Sequence, residues 1–355
     1  MSLHGDIFEQ LRREILAGRF DGERKLPSEN MLARRFAVSR PTVSRVMLDL
    51  KREGLVVTRP GAATTLSRFA LNATGALGLI DPGCGQGNIL STICRHIVRM
   101  AEQAGWDVIR EEVSAADPEA RAREIRALAA RFSSEHVSGV FIQPLENLAD
   151  NAAASREVVA HLDRAGIPVT LLDYDIVPPP ERSMYDLVAL DNLAAGLAVG
   201  RQLLAARLRR IAFLESPGAP PTVADRRRGV ACAVIEKGGA WTEKANVLRA
   251  VPSNARAVAR FVRANGPDAI VCGNDALAAR LHATLAGLGL AKAIRLAGFD
   301  DLRLVDVPGY VTVRQPCEEL AAVAVQTLVS RIRHPRLPAR TVLLPPRLAV
   351  YGSRA

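Results

Sequence analysis

The chain has 355 residues, room for two or three domains, and at 48% hydrophobic and 24% charged it is neither a disordered segment nor a coiled-coil rod. Five scattered cysteines (Cys84, Cys94, Cys232, Cys272, Cys317), none in a C-x-x-C pair, argue against a disulfide framework or structural zinc and for a reducing cytoplasm. The net charge of +10 is uneven: residues 1–68 hold 13 Lys+Arg against 8 Asp+Glu, so half the excess sits in under a fifth of the chain and points to a polyanion partner. No run approaches the ~20 apolar residues of a spanning helix. The start, MSLHGDIFEQLRREI, turns charged too early for a secretory signal.

Three helices are predicted in the first fifty-odd residues. Ile7, Leu11 and Ile15 share one face of a helix ending near Gly18. In LPSENMLARRF, Ser28 is the N-cap, and Leu32 and Phe36 form the buried stripe. In VSRPTVSRVMLDLKREG, Ser39 caps, Pro41 is tolerated in the first turn, Val43, Val46, Met47 and Leu50 face inward, and Gly54 ends the helix. LVVTRPGAATTLS then reads as two short strands about a turn at Pro60-Gly61. Only Ala37-Val38 separate the second and third helices, which is helix-turn-helix geometry, and Arg40, Thr42, Ser44 and Arg45 lie off the apolar stripe where DNA would be met.

The string LPSENMLARRFAVSRPTVSRVMLDLKREGLVVTRPG resembles the winged helix-turn-helix of the GntR family of bacterial regulators, and the likeness spans residues 6 to about 66. It implies a DNA-binding domain over 1–66, with contacts from Arg35, Ser39, Arg40, Thr42, Ser44 and Arg45 and from Gly61 at the wing tip. Ser44 and Asn30 stand where the family often carries a basic residue, and the wing reads Gly61-Ala62-Ala63-Thr64 in place of G-x-G-T. The operator is therefore expected to differ from the family's usual one.

From Ala76 onward, short apolar runs (ALGLID, VSGVFIQ, IPVTLLD, LVALD, RIAFLE, AIVCGND, RLAGFDD, VTVRQP) alternate with helical stretches, the pattern of open parallel α/β sheets. Ligands in such folds sit beyond the carboxyl ends of strands. The first strand-end loop, LGLIDPGCGQG, resembles the glycine-rich loop of S-adenosylmethionine-dependent methyltransferases, and VIREE could supply a ribose-holding carboxylate. Asn88 at the sixth position rules out the dinucleotide fingerprint, and Gly83, Gly85 and Gly87 equally suit a plain tight turn.

Five later segments resemble the LacI/GalR repressors in order: DLVALDNLAAGLAVGRQLLAARLRRIAFLESPGAPPTVADRRRGV, PDAIVCGNDALAARLHATL, IRLAGFDDL, PGYVTVRQPCEELAAVAV and LLPPRLAVYGS. The implied fold class is α/β: the winged helix-turn-helix followed by a two-subdomain, periplasmic-binding-protein-like sensor with two parallel sheets flanked by helices and three crossovers. Expected boundaries are a linker at 67–74 and a sensor at 75–355. Its N-subdomain takes about 75–185 and 315–339 and its C-subdomain about 186–314 and 340–355, with crossovers near Asp186, Arg314 and Arg340. The whole is similar to the arabinose repressor class.

By position in the family motifs, Arg226, Asn274 and Asp300 would hold an effector from one side. A guanidinium can fork onto adjacent hydroxyls, and the other two would accept from them. Asp81 and Asp173 would reach in from the opposite side, with Gln315 at a crossover. Asp275, Asp301 and the Asp191-Asn192 pair are assigned to helix capping, and Tyr174, Tyr185 and Trp241 are possible stacking platforms. No histidine pair has metal spacing, and neither a nucleophile elbow nor a phosphate loop occurs, so no catalysis, metal or cofactor is expected. The expected partners are double-stranded operator DNA, a monosaccharide or derivative, and a second copy of the chain, with no membrane. A purine or phosphosugar effector stays open. A solute-binding protein without regulation and a methyltransferase are the alternative classes.

Overall fold

A computed structural model describes residues 3–16, 19–20, 25–58, 63–67, 75–81, 89–115, 117–145 and 151–352. The head comprises α1 (Leu3–Leu16), α2 (Glu29–Phe36), α3 (Arg40–Arg52), β1 (Val56–Val57) and β2 (Thr65–Leu66). The inward stripes close on one another: Ile7, Leu11, Ile15, Leu32, Val43, Val46, Met47 and Leu50 are all buried, whereas Phe36 is only half-buried. Ser28 and Ser39 cap α2 and α3 by accepting from the N–H groups of Met31 and Thr42. The tight turn between them places Ala37 in the left-handed region at φ 53°, at a cost of roughly 1–2 kcal/mol that a glycine would avoid. β1 and β2 pair antiparallel, Val56 opposite Leu66, and Lys25 bridges to Thr65 at the outer edge. The turn at Pro60-Gly61 and most of the expected linker lie outside the described residues.

Next come β3 (Ala76–Asp81), α4 (Ile89–Gln103), β4 (Asp107–Glu112), α5 (Pro118–Ser134), β5 (Gly139–Ile142), α6 (Asn151–Arg164), β6 (Val169–Leu172) and β7 (Asp186–Leu190). The chain then crosses into α7 (Asn192–Ala205), β8 (Ile211–Glu215), α8 (Pro221–Glu236), α9 (Glu243–Asn246), β9 (Val247–Arg249), α10 (Ala255–Asn265), β10 (Ala269–Cys272), α11 (Asp275–Gly287), β11 (Arg295–Ala297) and β12 (Tyr310–Arg314). It returns through α12 (Cys317–Arg333) and β13 (Thr341–Leu344), and ends on β14 (Arg347–Tyr351). Two six-stranded sheets result, in the orders β13-β7-β6-β5-β3-β4 and β14-β12-β11-β10-β8-β9. Every neighbouring pair within them is parallel except β12 with β14.

Two of the expected crossovers need correction. β7 and β13 both belong to the first sheet, so the chain crosses after Leu190 and again at Pro345-Pro346, not near Asp186 or Arg340. The central crossing follows Arg314 as expected. An apolar run buried on both faces, such as LVAL, suits either parallel sheet, so pattern alone could not assign it. The fully buried Asp186 carboxylate decides the matter. It accepts from both Arg331 Nε (2.8 Å) and Nη2 (3.0 Å) on α12 and from the Arg340 backbone N–H (2.8 Å), locking β7, α12 and β13 together.

Candidate functional site

The surface of the head expected to face DNA begins at α3. Arg40 is 69% exposed at its side chain, and its Nε donates to Glu29 at 3.3 Å. Ser44 donates to the same carboxylate oxygen at 2.9 Å, so Glu29 at the start of α2 organises two of the expected contacts. Thr42 and Ser39 share a hydroxyl hydrogen bond of 2.9 Å at the cap. Arg45 is exposed and forms no ion pair among the described residues. Arg35 differs from expectation: both terminal nitrogens hold Glu14 on α1 and its guanidinium lies 4.9 Å over the Phe36 ring. That pair raises the Arg35 pKa and lowers that of Glu14. Arg35 thus clamps α1 to α2, a role that its place in the sequence motif did not reveal. Gly61 falls outside the described residues.

In the body, the geometry turns on how closely α7 and α8 approach. A Cβ at Gly196 would lie 1.9 Å from the Arg226 carbonyl oxygen, and one at Gly229 would lie 2.1 Å from that of Leu193. Only glycine permits this contact. It sets Arg226 against the start of α7, where Nε donates to Asn192 Oδ1 (2.7 Å) while Nη1 donates to the Gly273 carbonyl at the end of β10 (2.7 Å). Nη2 lies 3.8 Å from Asp300 Oδ1, and the guanidinium stacks 4.6 Å from the centroid of the buried Phe299. Gln315, in the central crossover, donates to Asp300 Oδ1 at 2.7 Å. Asp300 itself sits at φ +100°, a strained conformation of the kind that collects at ligand sites.

Asp173 belongs to the other subdomain and follows β6 at φ +72°. Its carboxylate accepts from Gln143 Nε2 at 3.0 Å. Burial raises its pKa, the nearby Arg226 charge and the Gln143 hydrogen bond oppose that rise, and the Asp300 charge adds to it. Asp173, Arg226, Asp300 and Gln315 therefore form one polar cluster drawn from both sheets and a crossover. A small pocket adjoins it, where Asp173 and Gln315 sit beside Leu90, Leu172, Leu190 and Leu320.

The remaining expected ligand residues are engaged otherwise. Asp81 is fully buried at the end of β3. Its Oδ2 accepts from Arg110 Nε (3.1 Å) on β4 and from Nη2, and its Oδ1 accepts from Ser91 (3.4 Å). It braces a sheet edge. Asn274 directs its side-chain oxygen to the Leu277 N–H (2.9 Å) as the N-cap of α11, while Asp275, expected to cap, is buried instead. Asp301 precedes no helix and pairs with Arg314 (2.7 Å) and the Tyr351 hydroxyl. Asp191 does cap α7, but Asn192 beside it binds Arg226. Tyr174 is core, its hydroxyl donating to the Pro144 carbonyl at 2.8 Å, and Tyr185 and Trp241 pack against apolar clusters. The ring at the cluster is Phe299, which carries the guanidinium. Among sequence signals, only the D-N and G-N-D strings pointed toward Asn192 and Gly273, and both strings also read as caps.

Asp275 accepts from Tyr310 Oη (2.6 Å), Thr312 Oγ1 (2.9 Å) and the Leu302 N–H (2.9 Å), tying the start of α11 to β12. Burial pushes its carboxyl from 3.8 up to about 6, against the pull of those donors. The folded chain thus holds this proton more tightly than the unfolded chain. The resulting stabilisation is complete below pH 3.8 and is lost as pH rises through about 6. We expect stability measured by urea unfolding to shed roughly 3 kcal/mol from this group over that interval, and Asp275→Asn to flatten the limb. Asp268, held down at about 2 by Arg210, titrates below it. Parallel pH profiles in the two proteins would refute the assignment.

Comparison with known proteins agrees with this architecture. Residues 3–66 match the profile of bacterial regulatory proteins of the gntR family, and residues 201–353 match that of the periplasmic binding protein-like domain. The chain thus joins, in order, a segment that matches the gntR family of bacterial regulatory proteins to one that matches the periplasmic binding protein-like domain, the arrangement of transcriptional regulators. It is similar to an uncharacterized HTH-type transcriptional regulator of Streptomyces limosus (28% identity, 94% of this chain and 96% of the relative). It is likewise similar to the arabinose metabolism transcriptional repressor of Geobacillus stearothermophilus (26%, 91% and 90%). Among solved structures, a transcriptional regulator CelR-cellobiose complex aligns over 92% of this chain and 99% of its own, with a TM-score of 0.64 at 18% identity. A LacI family regulator from Enterococcus faecium with bound ribose aligns over 77% and 96%, with a TM-score of 0.59 at 22% identity. Among the described residues, no helix is long and apolar enough to cross a membrane.

Proposed function

We propose that this protein is a cytoplasmic homodimeric repressor of carbohydrate-use genes, without catalytic activity, whose hold on double-stranded operator DNA is set by a small sugar or sugar derivative. One observation carries the reading: Arg226, Asp300 and Gln315 form a bonded cluster whose charges bear on the buried Asp173 of the opposite subdomain, and Asp173 and Gln315 line one small pocket. Such a cluster offers paired donors and acceptors to a polyhydroxyl ligand, and closing on that ligand would draw the two sheets together. The arabinose repressor relative and the sugar-bound structural neighbours support the same reading.

The head would present α3 to the major groove, with Arg40, Thr42, Ser44 and Arg45 at base edges and phosphates and Ser39 fixing the helix start. α12 offers a route between the two sites. It starts two residues after Gln315, and Pro335 just beyond its end lies against Gly54, where a Cβ would come within 2.8 Å of the proline ring. A coupling of ~1–3 kcal/mol changes operator affinity ~5–150-fold, enough to release a promoter held near saturation. It falls short of the ~5.5 kcal/mol of a complete switch.

The test is capture of source-genome fragments on the purified full chain, with and without a carbohydrate mixture. A few palindromic sites that are lost on adding sugars are expected. Sites that persist in every sugar would overturn the effector assignment, and absence of enrichment at low salt would overturn the DNA-binding one.

A further inference from the structure

The guanidinium of Arg331, in the last turn of α12, commits all five of its N–H donors. Nε (2.8 Å) and Nη2 (3.0 Å) fork onto the buried Asp186 carboxylate of β7. The remaining donors reach backbone carbonyls of the turn that follows the helix, at Pro335 (3.4 Å), Leu337 and Pro338 (2.9 Å). Asp186 fixes the far end of that turn by accepting from the Arg340 N–H at 2.8 Å. Residues 334–339 are exposed and belong to no helix or strand. A segment of a kind that ordinarily moves is therefore held along its length by one side chain.

The held turn meets the head. Pro335 lies against Gly54, where a Cβ would come within 2.8 Å of the ring Cγ and 3.3 Å of Cδ. Gly54 follows the cap of α3 at φ +75°, a conformation that suits glycine. Arg40 and Thr42 lie at the other end of this 13-residue helix, about 20 Å away. The body thus touches α3 at the end remote from the expected DNA contacts. Buried residues of the head and of the first subdomain also form one apolar cluster, which includes Ile7, Leu50 and Leu66 together with Leu328 and Ile332.

We infer that Arg331 is a positioning residue for the DNA-binding head: by fixing the turn at 334–338 against Gly54, it sets the orientation of α3 on the body. The inference rests on the operator-binding reading above and assigns the contact through which the body acts on the head. The chemistry calls for arginine. A lysine ammonium could pair with Asp186, but its three donors radiate from a single point and cannot bridge one carboxylate and three carbonyls. Without the clamp, the stripes, caps and DNA-facing side chains of the head are untouched. Two heads of a dimer are then no longer held at the spacing of two half-sites.

The test compares the full chain with Arg331→Lys and Pro335→Ala by anisotropy, on the captured palindromic operator and on a duplex carrying one of its half-sites. Pro335→Ala removes the ring that meets Gly54 and keeps the carbonyl that Arg331 binds. Each variant is expected to bind the palindrome ~5-fold or more weakly and the single half-site as the full chain does. The double variant should lose little beyond the larger single loss, because both residues act through one contact. Hydrogen exchange should quicken at residues 51–55 and 334–340 and stay slow in β7 and the rest of α12. Faster exchange throughout α12 and β7 would confine Arg331 to the stability of its subdomain and overturn the inference. Unchanged palindrome affinity, or half-site binding that falls in step with it, overturns the inference and leaves the operator reading standing. If the full chain itself captures no operator, the DNA-binding reading fails, and this inference fails with it.

Discussion

Arg226→Met is expected to abolish the effector's influence on operator binding and to destabilise the body by about 3–5 kcal/mol, while the head keeps its affinity for DNA. The Arg226 side chain is nearly inaccessible to water and satisfies Asn192, the Gly273 carbonyl and Asp300 from the end of β10, the start of α7 and the loop after β11 at once. Removing it leaves Asp300 and Asp173 buried without their counter-charge, the situation in which breaking a buried pair is costly. Methionine fills much of the space over Phe299, so packing loss contributes little. Arg226→Lys provides the control: it restores the charge without the planar fork, so stability should recover more than effector response does. Urea unfolding and operator release, measured on both variants, read the two effects separately. A Met variant that still responds to sugar would remove Arg226 from the site.

The second large effect is on the head. If a dimer makes about six to ten phosphate contacts, operator affinity should fall ~10³–10⁵-fold between 50 and 200 mM salt. The basic excess of residues 1–68 supplies the charge, and the exposed Arg40 and Arg45 on α3 supply its placement. Arg40→Ala should weaken binding by about ten- to a hundredfold and blur sequence preference, because arginine lost from a guanine edge costs ~1–3 kcal/mol. Among the described residues Arg40 pairs with the Glu29 carboxylate at 3.3 Å, an exposed pair that DNA can displace cheaply. A flat salt response, read by anisotropy on the captured operator, would sink the assignment of α3 as the reading helix.

The residues to which the structure gives partners that the sequence did not foretell share a cause. Asn274 and Asp275 are neighbours with similar capping ability, and only the arrival of Tyr310 and Thr312 from β12 makes the second a buried acid and leaves the cap to the first. Asp81 stands at a strand end like the acid of a ligand site, yet Arg110, 29 residues later and one strand over, takes it. Arg35 lies in a DNA-binding motif, yet Glu14 of α1 folds back onto it. In each case the deciding partner is remote in sequence, and its identity depends on strand order and helix packing.

What the sequence determined by itself is the local and periodic part. The helical stripes of the head, its Ser28 and Ser39 caps and the alternation of strands with helices are set by spacings of a few residues, and these were legible as such. The fold class and the central crossing at Arg314 followed from the order of the motifs. Tertiary structure alone decided the sheet to which β7 and β13 belong, since a strand buried on both faces, such as β7, carries no label of its sheet, and β13 joins whichever sheet offers it an edge. It also decided which polar groups meet in the cleft. A carboxylate or guanidinium acquires its role from the partner that removes it from water, and in this protein those partners come from the other side of a crossover or the neighbouring strand.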